Sequence, residues 1–423
     1  MMEIIIDLHI HGRFSRATSK DLTLVSLEKW AQIKGLNLLG TGDFTHPIWL
    51  RELKENLSEE GGVLKSKNGF NFILQTELSL IYSQAGKTHR VHNLILAPNF
   101  DVVDQINERL GKIGRLDYDG RPIFGISCPE LAEMMHSISS EIEIIPAHIW
   151  TPWFSIFGSN SGFNSVEECF REKTKYIHCL ETGLSSNPAM NYRLSKLDRF
   201  FFVSFSDCHS FWPWRLGREA TIFDLKEINY KNIIGALRTG FGLKGTIEVD
   251  PAYGKYHFDG HRNCNFFVDP TLDKRITCAV CGEKLTIGVL RRVNELADRE
   301  ENYDFSRLNN FRVFKSLIPL SEILAKALRA GIATKSVWAN YDKGISSFGN
   351  ELNILLNVPS EELCKVFSEK IVDLILRCRR GELKIKAGYD GVYGELAEND
   401  KEPQIEKRVI GKQTNLNSFN QCN

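Results

Sequence analysis

The sequence of 423 residues lacks any apolar run approaching the roughly 18 residues that a membrane-spanning helix needs. Its first residues, MMEIIIDLHIH, contain no basic region and too short an apolar stretch for a signal peptide. Neither charge is in excess, since 53 Lys and Arg residues balance 53 Asp and Glu residues. Without a globally basic surface, any contact with nucleic acid must come from local patches.

Cysteine is sparse: the ten cysteines are scattered along the chain apart from one CxxC pair. This usage excludes the disulfide framework of a small secreted domain. We therefore expect a cytoplasmic protein with no membrane partner. The length exceeds that of one average domain, which predicts two or three folded units.

Residues 1–250 alternate short apolar runs with helical patterns. A helix is predicted over Leu22 to Lys34, where Gly35 stops it. Strands are predicted at Ile4–Ile6, Leu36–Leu39, Phe72–Gln75, Leu94–Ala97, Glu143–Ile145, Ile177–Leu180 and Phe201–Ser204. Buried strands that alternate with helices favour an α/β fold with a mainly parallel sheet, here long enough to close into a barrel.

The pattern changes after residue 250. Residues 251–296 form a short segment rich in Asn, Asp and Gly, with one histidine-and-cysteine cluster. Residues 297–397 are mostly helical, with the clearest amphipathic stretches at Leu317–Leu328 and Ser360–Arg379. Residues 398–423 are polar and charged, and we expect a flexible tail there.

Side chains that ligate metals fall at the ends of the predicted strands. They are His9, His11, Asp43, Glu77, His92, His148, Asp207 and His209. In parallel α/β barrels the carboxyl ends of the strands build the active site, and residues i and i+2 share a face. Imidazole and carboxylate suit zinc, with manganese, magnesium or iron as alternatives, and one carboxylate can bridge two ions. We predict a catalytic centre of two divalent metals.

The segments DLHIHGRFS, TGDFTHP, QTELSL, HRVHNLIL, IPAHIW and SFSDCHS resemble the successive motifs of the PHP (polymerase and histidinol phosphatase) superfamily. That resemblance implies a distorted (β/α)7 barrel. It also implies that Glu77 is the bridging carboxylate and that Glu77, Asp207 and His148 act in catalysis.

This chain departs from the PHP pattern at two places. It has Ser15-Arg16 where many members have an acidic residue or histidine, and Asp43-Phe44 where they have Asp-His. In members of the superfamily, the residues at both positions usually bind a third metal ion together with the last histidine. The departures therefore favour two metals over three and leave Asp43 and His209 as open assignments, with His46 as a substitute ligand.

A second metal site is predicted in residues 251–296. His261 and Cys264 precede Cys278 and Cys281 by thirteen intervening residues, and the CxxCG turn lets two thiolates reach one ion. We expect a structural zinc ion held by one imidazole and three thiolates, with His257 as the reserve ligand.

Two aromatic loops follow predicted metal ligands. One contains Trp150 and Trp153, and the other contains Trp212, Trp214 and Arg215. Rings at the mouth of the site could stack on bases or on a base flipped out of a duplex. Arg16 and Arg215 are predicted to contact DNA with them.

The segment Gln413-Thr-Asn-Leu416-Asn-Ser-Phe419-Asn420 resembles the motif that docks on replication sliding clamps. It predicts a clamp as partner through Gln413, Leu416 and Phe419. Asn420 stands where the motif has a second aromatic residue.

The order of these parts resembles the archaeal endonuclease Q family along essentially the whole chain. HIWTPWFSIFG, ETGLSSNPAMNYRLS, PWRLGREA, CAVCGEKLTIGVLRRV and AGYDGVYGEL carry the likeness outside the metal motifs. It implies cleavage of damaged DNA 5′ of uracil, hypoxanthine, xanthine and abasic sites. The alternatives are a phosphoesterase of small metabolites and a non-catalytic DNA-binding PHP module.

Overall fold

The structure is a computed structural model that describes residues 2–397. An 11-stranded sheet of mixed direction lies at its centre, accompanied by smaller two-stranded sheets. The strands are β1 Met2–Asp7, β2 Leu38–Gly40, β3 Ser58–Glu60, β4 Val63–Lys65, β5 Asn71–Gln84, β6 Lys87–Ala97, β7 Ile123–Phe124, β8 Glu143–Pro146, β9 Cys179–Glu181, β10 Phe201–Val203, β11 Ala220–Leu225, β12 Leu243–Glu248, β13 Asp259–His261, β14 Phe266–Val268, β15 Val313–Ser316, β16 Ile385–Lys386 and β17 Glu395–Leu396. The α-helices are α1 Leu24–Lys34, α2 Pro47–Asn56, α3 Phe100–Gly111, α4 Cys128–Ile138, α5 Val166–Phe170, α6 Pro188–Asn191, α7 Tyr230–Thr239, α8 Val289–Leu296, α9 Leu320–Leu328, α10 Lys335–Phe348, α11 Glu351–Leu356, α12 Ser360–Val366 and α13 Glu369–Arg379.

The sheet is mixed, and the prediction of a mainly parallel sheet is wrong. β1 and β2 are parallel, as are β2 and β5, but β5 pairs with β6 in antiparallel register over its last eleven residues. The turn between them is Ala85-Gly86, with φ angles of 51° and 76°. Two residues in the left-handed region form the tight turn that reverses the chain within a hairpin.

Strands that the sequence did not predict extend the sheet from β1. β11 pairs with β1 and β12 pairs with β11, both antiparallel. β15, from the predicted helical region, then joins β12 in parallel register. The part of the chain after residue 296 therefore contributes directly to the central sheet.

The inner strands of the sheet are buried on both faces, as in β2, β8 and most of β5, which explains their unbroken apolar runs. Ile73 of β5 lies in one buried cluster with Ile4 and Ile6 of β1. Its neighbours Phe72 and Leu74 lie in a second cluster, which also includes the apolar residues of the C-terminal helices. The two cores thus hold the polar strand ends in fixed positions between them.

The predicted helices are present with shorter bounds. α1 ends where Gly35 takes a left-handed φ of 102°. The predicted stretch from residue 360 to 379 is divided into α12 and α13 around Phe367, whose backbone is extended. The C-terminal helices are tied to α1 because the buried Lys34 Nζ donates to Glu351 Oε1 at 2.7 Å and to the carbonyl of Pro213 at 2.6 Å.

Candidate metal centre

Glu77 lies in the middle of a buried group of histidines. Its Oε1 lies 2.8 Å from Nδ1 of His92, 3.1 Å from Nε2 of His148 and 3.6 Å from Nε2 of His9. Its Oε2 lies 3.3 Å from Nε2 of His11. Both carboxylate oxygens therefore face imidazole nitrogens from several strands.

The potential ligands form two groups that share Glu77. One comprises His9, His11, Glu77 and Asp207, and the other comprises Glu77, His92 and His148, with ligand atoms within 4.8 Å of one another in each group. A carboxylate common to two sets of nitrogen and oxygen donors is the arrangement that holds two ions close together. The structure thus brings these side chains together, although Glu77 lies within β5 rather than at its end.

His9 provides the test of whether a cation fits. Its Nδ1 lies 2.9 Å from Glu181 Oε1, so that nitrogen carries the proton when the ring is neutral. Its Nε2 is buried without a hydrogen-bond partner, 3.5 Å from an oxygen of Asp207. A buried lone pair aimed at carboxylates is costly unless a cation lies between them, so the donor set fits a metal.

The charges of the centre support the same conclusion. Burial alone would raise the pKa of Glu77, but His92, Arg121 and His9 outweigh it and hold that pKa well below its usual value. Burial alone would lower the pKa of His9, but the negative charges of Glu181, Asp207 and Glu77 raise it well above its usual value. The carboxylates therefore draw positive charge into the buried site.

Backbone strain occurs at three strand ends around the centre. Asp43, His148 and Asp207 have positive φ angles of 39°, 30° and 47°. Non-glycine residues rarely adopt this region, and surrounding contacts must hold them there. At these positions the strain turns the side chains of His148 and Asp207 toward Glu77.

Asp43 and His209 belong to neither group of ligand atoms within the described residues. Asp43 instead lies 3.0 Å from Nδ1 of His11, and its other oxygen accepts from the backbone N–H of Gly12 and the hydroxyl of Ser15. It orients His11 so that Nε2 of that ring faces Glu77. The ring of His209 lies beside that of His11, with 4.4 Å between centroids.

Glu181 was missed by the sequence reasoning. Besides its contact with His9, its Oε2 accepts a hydrogen bond of 2.7 Å from the backbone N–H of His148. It therefore fixes two of the candidate ligands at once. It ends β9, so the strand-end signal that identified Glu77 could also have identified it.

Arg121 was also missed. Its Nη1 lies 2.9 Å from Glu77 Oε2, and its side chain is 27 % exposed, so it can reach both the centre and a bound ligand. It lies in the loop between α3 and β7, where the sequence carries no strand-end pattern. The backbone just before Arg121 packs closely against Asp43, since a Cβ on Gly120 would lie 2.3 Å from Asp43 Oδ2. This contact fixes the position of the segment.

The second predicted site is also assembled. His261, Cys264, Cys278 and Cys281 place their ligand atoms within 4.8 Å of one another, with 3.3 Å between Cys281 Sγ and His261 Nδ1. Burial would raise the pKa of Cys278, but backbone N–H groups of the CxxC turn lower it to about 6. A thiolate at neutral pH is the form that binds zinc. The reserve residue His257 is not in this group.

The aromatic loops differ from the expectation at one position. Trp150 is only 1 % exposed, and its indole Nε1 donates to Asn191 Oδ1 at 2.7 Å, so its ring packs in the core rather than at the mouth. Trp153 packs edge-on against Tyr256 at 5.8 Å. Trp212 and Trp214 are stacked 5.2 Å apart, and Trp212 is 37 % exposed.

The predicted DNA-contacting arginines have different partners. Arg16 is 79 % exposed, with its Nε 3.3 Å from Asp119 Oδ2. Arg215 lies over the ring of Tyr393, 5.2 Å from its centroid. The predicted clamp-binding residues Gln413, Leu416 and Phe419 lie outside the described residues.

Over residues 2–397, none of the helices combines the length and the apolar character needed to cross a membrane. Residues 319–382 match the family model of the MJ0043 C-terminal domain. The chain is 30 % identical over 298 residues to the uncharacterized protein MJ0043 of Methanocaldococcus jannaschii, covering 68 % of this chain and 35 % of that protein. The chain thus spans about a third of that relative's length.

Other relatives match over the full length. The uncharacterized protein YqxK of Bacillus subtilis is 29 % identical over 416 residues, covering 94 % of this chain and 100 % of YqxK. The lesion-specific endonuclease PfuEndoQ of Pyrococcus furiosus superposes with a TM-score of 0.82 at 31 % identity, covering 93 % of this chain and 95 % of its own. Endonuclease Q bound to a duplex with an abasic lesion at the active site gives 0.83 at 31 % identity, covering 96 % and 100 %.

Proposed function

The chain belongs to the endonuclease Q family, and we propose that it is a metal-dependent DNA repair endonuclease. Its proposed reaction is hydrolysis of the phosphodiester 5′ of uracil, hypoxanthine, xanthine or an abasic site. The products are 3′-hydroxyl and 5′-phosphate ends. The observation that carries the proposal is Glu77, shared by two buried groups of potential metal ligands.

His9, His11, Glu77 and Asp207 would hold one divalent ion, and Glu77, His92 and His148 would hold the other. We expect zinc, with manganese or magnesium as alternatives. Bound there, such ions supply Lewis-acid chemistry and a water of lowered pKa for attack on phosphorus. Glu181 and Asp43 keep the rings of His9 and His11 in the orientation that this requires.

Arg121 is proposed to bind the scissile phosphate. Its guanidinium reaches the edge of the centre beside Glu77, and part of its side chain is exposed. Guanidinium binds phosphate oxygens with two parallel hydrogen bonds and stabilises the charge that grows on them during displacement. Trp212 and Trp214, in the loop after β10, are proposed to stack on an unpaired base.

The order in which neighbouring strands pair supports a proposal for the barrel. β1, β2, β5, β6 and β8 pair in succession, Ile144 bridges to Ile177 before β9, and β9 pairs with β10. A bridge from Ile10 to Cys208 then links the chain after β10 back to that after β1. We propose that these seven strands form the distorted barrel of residues 1–250, followed by a zinc module at 251–296 and a helical domain at 297–397.

A panel of substrates tests the proposed function. The metal-loaded protein is incubated with labelled duplexes that contain one uracil, hypoxanthine, xanthine or abasic site. An undamaged duplex and a sugar phosphate serve as comparisons. We expect one cut 5′ of each lesion. Release of phosphate from the sugar alone would favour a metabolite phosphoesterase, and binding of DNA without any cut would favour a non-catalytic module.

We predict that Cys278→Ser lowers stability rather than acting on the chemistry. A structural zinc ion contributes folding free energy, and Ser cannot replace a thiolate ligand. The zinc content measured by mass spectrometry should fall by about one ion per chain, and the melting temperature should fall with it. Cys364→Ser, at an exposed cysteine outside the group, is the control. Equal zinc content in both variants contradicts the site.

The tail prediction concerns residues 411 to 423. Their deletion should leave cleavage of short oligonucleotides unchanged and should remove binding to a sliding clamp. Gln413 is proposed to hydrogen-bond to the clamp, while Leu416 and Phe419 fill an apolar pocket. We expect micromolar affinity, on the order of −8 kcal/mol. Calorimetry of a peptide of residues 409–423 with the cognate clamp measures it, and absence of heat at high micromolar concentration contradicts the motif.

A further inference from the structure

Cations gather around the ring of Tyr393 beside the candidate metal centre. The guanidinium carbon of Arg215 lies 5.2 Å and the Nζ of Lys255 lies 4.7 Å from the ring centroid. Arg218, only 9 % exposed, donates two hydrogen bonds to the carbonyl of Ser206, the residue before a candidate metal ligand. The cluster is therefore attached to the strand end that helps to form the centre.

Across residues 2–397, none of the carboxylates lies within 4.0 Å of the side-chain nitrogens of Arg215, Arg218 or Lys255. Glu322 lies within the influence of both arginines, but its carboxyl accepts the hydroxyl of Tyr253, and burial raises its pKa to about 7. Like charges that are brought together without an anion repel one another and leave a strongly positive surface.

The pKa values of Arg215 and Tyr393 are both lowered in this cluster. Burial and the charge of Arg218 lower the pKa of Arg215. Burial would raise the pKa of Tyr393, but Arg218, Arg215 and Lys255 outweigh it and lower that pKa. The shift at Tyr393 describes a local excess of positive charge, which a bound anion would relieve, whereas burial is the larger cause at Arg215.

Aromatic side chains flank the cluster on both sides along the chain. Trp214 precedes Arg215 and is stacked on Trp212. Tyr256 follows Lys255 and packs against Trp153. Rings that adjoin these cations in the chain suit a phosphate that joins nucleosides better than an isolated anion.

We propose that Arg215, Lys255 and Tyr393 form a subsite for a backbone phosphodiester of DNA other than the one that is cut. The inference rests on the proposed function and names a contact of that same site. Arg218 fixes the loop of the subsite to the segment after β10 through its hydrogen bonds to the carbonyl of Ser206. Arg215 lies in the loop after β10, and Tyr393 lies in the segment before β17. The C-terminal segment therefore takes part in binding the substrate.

Binding of a short duplex with one abasic site to the full chain tests the subsite. Fluorescence anisotropy on chains that also carry Glu77→Gln, which are expected not to cut DNA and which keep the structural zinc, measures the dissociation constant Kd over a series of salt concentrations. Each lost phosphate contact should reduce the slope of log Kd against log salt by about 0.9. Because both cations bind the same phosphodiester, we expect the double variant Arg215→Ala/Lys255→Ala to show this loss and each single variant to show part of it.

Tyr393→Leu should weaken binding because it removes the ring on which both cations lie, whereas Tyr393→Phe should bind nearly as tightly as the original chain. Arg307→Ala is the control, since that exposed arginine is already paired with Asp304 at 3.2 Å. Thermal unfolding establishes that each variant is folded, and glutamine at the same position replaces alanine in any variant that is not. Unchanged slopes in folded variants overturn the subsite. Absence of cleavage by a chain that binds with the expected slopes overturns only the proposed function.

Discussion

Replacing Glu77 by glutamine should abolish DNA cleavage while leaving the fold largely intact. The amide keeps the shape of the side chain, but it removes the negative charge that faces four histidines and one arginine. Both groups of potential ligands lose their shared carboxylate at once. Cleavage of an abasic duplex, catalytic metal content and the melting temperature are the three measurements.

The matched control is Glu133→Gln, because that carboxylate is 59 % exposed and pairs only with Lys173 on the surface. It should keep the cleavage rate and the metal content of the original chain. In Glu77→Gln the content of catalytic metal should fall, while the zinc of the separate cysteine site remains. Turnover at the original rate with full metal content would show that Glu77 does not bridge the centre.

The rule that active sites form at strand ends predicted where most of the centre would lie. His9, His11, His148 and Asp207 come together because each follows a strand that is largely buried, whereas Glu77 lies within β5 itself. Burial fixes the backbone of the strand, so a polar side chain just beyond the apolar run is directed to the rim where the strands end. The placement of these side chains could therefore be predicted from the apolar pattern alone.

The rule could not separate a potential ligand from a residue that orients one. Asp43 follows β2, but its oxygens are engaged by His11, Gly12 and Ser15. The difference depends on side-chain rotamers and on a positive φ, neither of which leaves a pattern in the sequence. Glu181 shows the converse, since the apolar run before it was recognised and the residue that ends it was not.

The direction of the strands and the course of the loops were harder to predict from the sequence than the positions of the candidate ligands. Ala85-Gly86 is too brief a signal to distinguish a hairpin from a longer connection, so the parallel prediction for β5 and β6 was wrong. Trp150 follows a candidate ligand but turns inward to Asn191, because a buried ring with a satisfied N–H is more stable than an exposed one. Long-range packing decides such cases, and local sequence does not encode it.

Arg121→Ala should lower the rate of cleavage at saturating DNA and metal by about a hundredfold or more, which corresponds to about 2.7 kcal/mol of lost transition-state stabilisation. Burial would lower the pKa of Arg121, but Glu77 and Asp207 outweigh it and raise that pKa, so the guanidinium is charged at any working pH. The charge is therefore present whenever a phosphate arrives. Single-turnover kinetics on an abasic duplex measure the rate without product release.

Arg121→Lys distinguishes this role from a purely structural one. Lysine restores the charge beside Glu77 but cannot offer two parallel hydrogen bonds to a phosphate, so the rate should recover only in part. If Arg121 served only to balance Glu77, lysine would restore the full rate, and Arg121→Ala would alter metal affinity instead. Titration of each variant with metal, followed by the rate at saturation, separates the two effects. A rate for Arg121→Ala equal to that of the original chain at saturating metal would mean that the arginine does not contact the scissile phosphate.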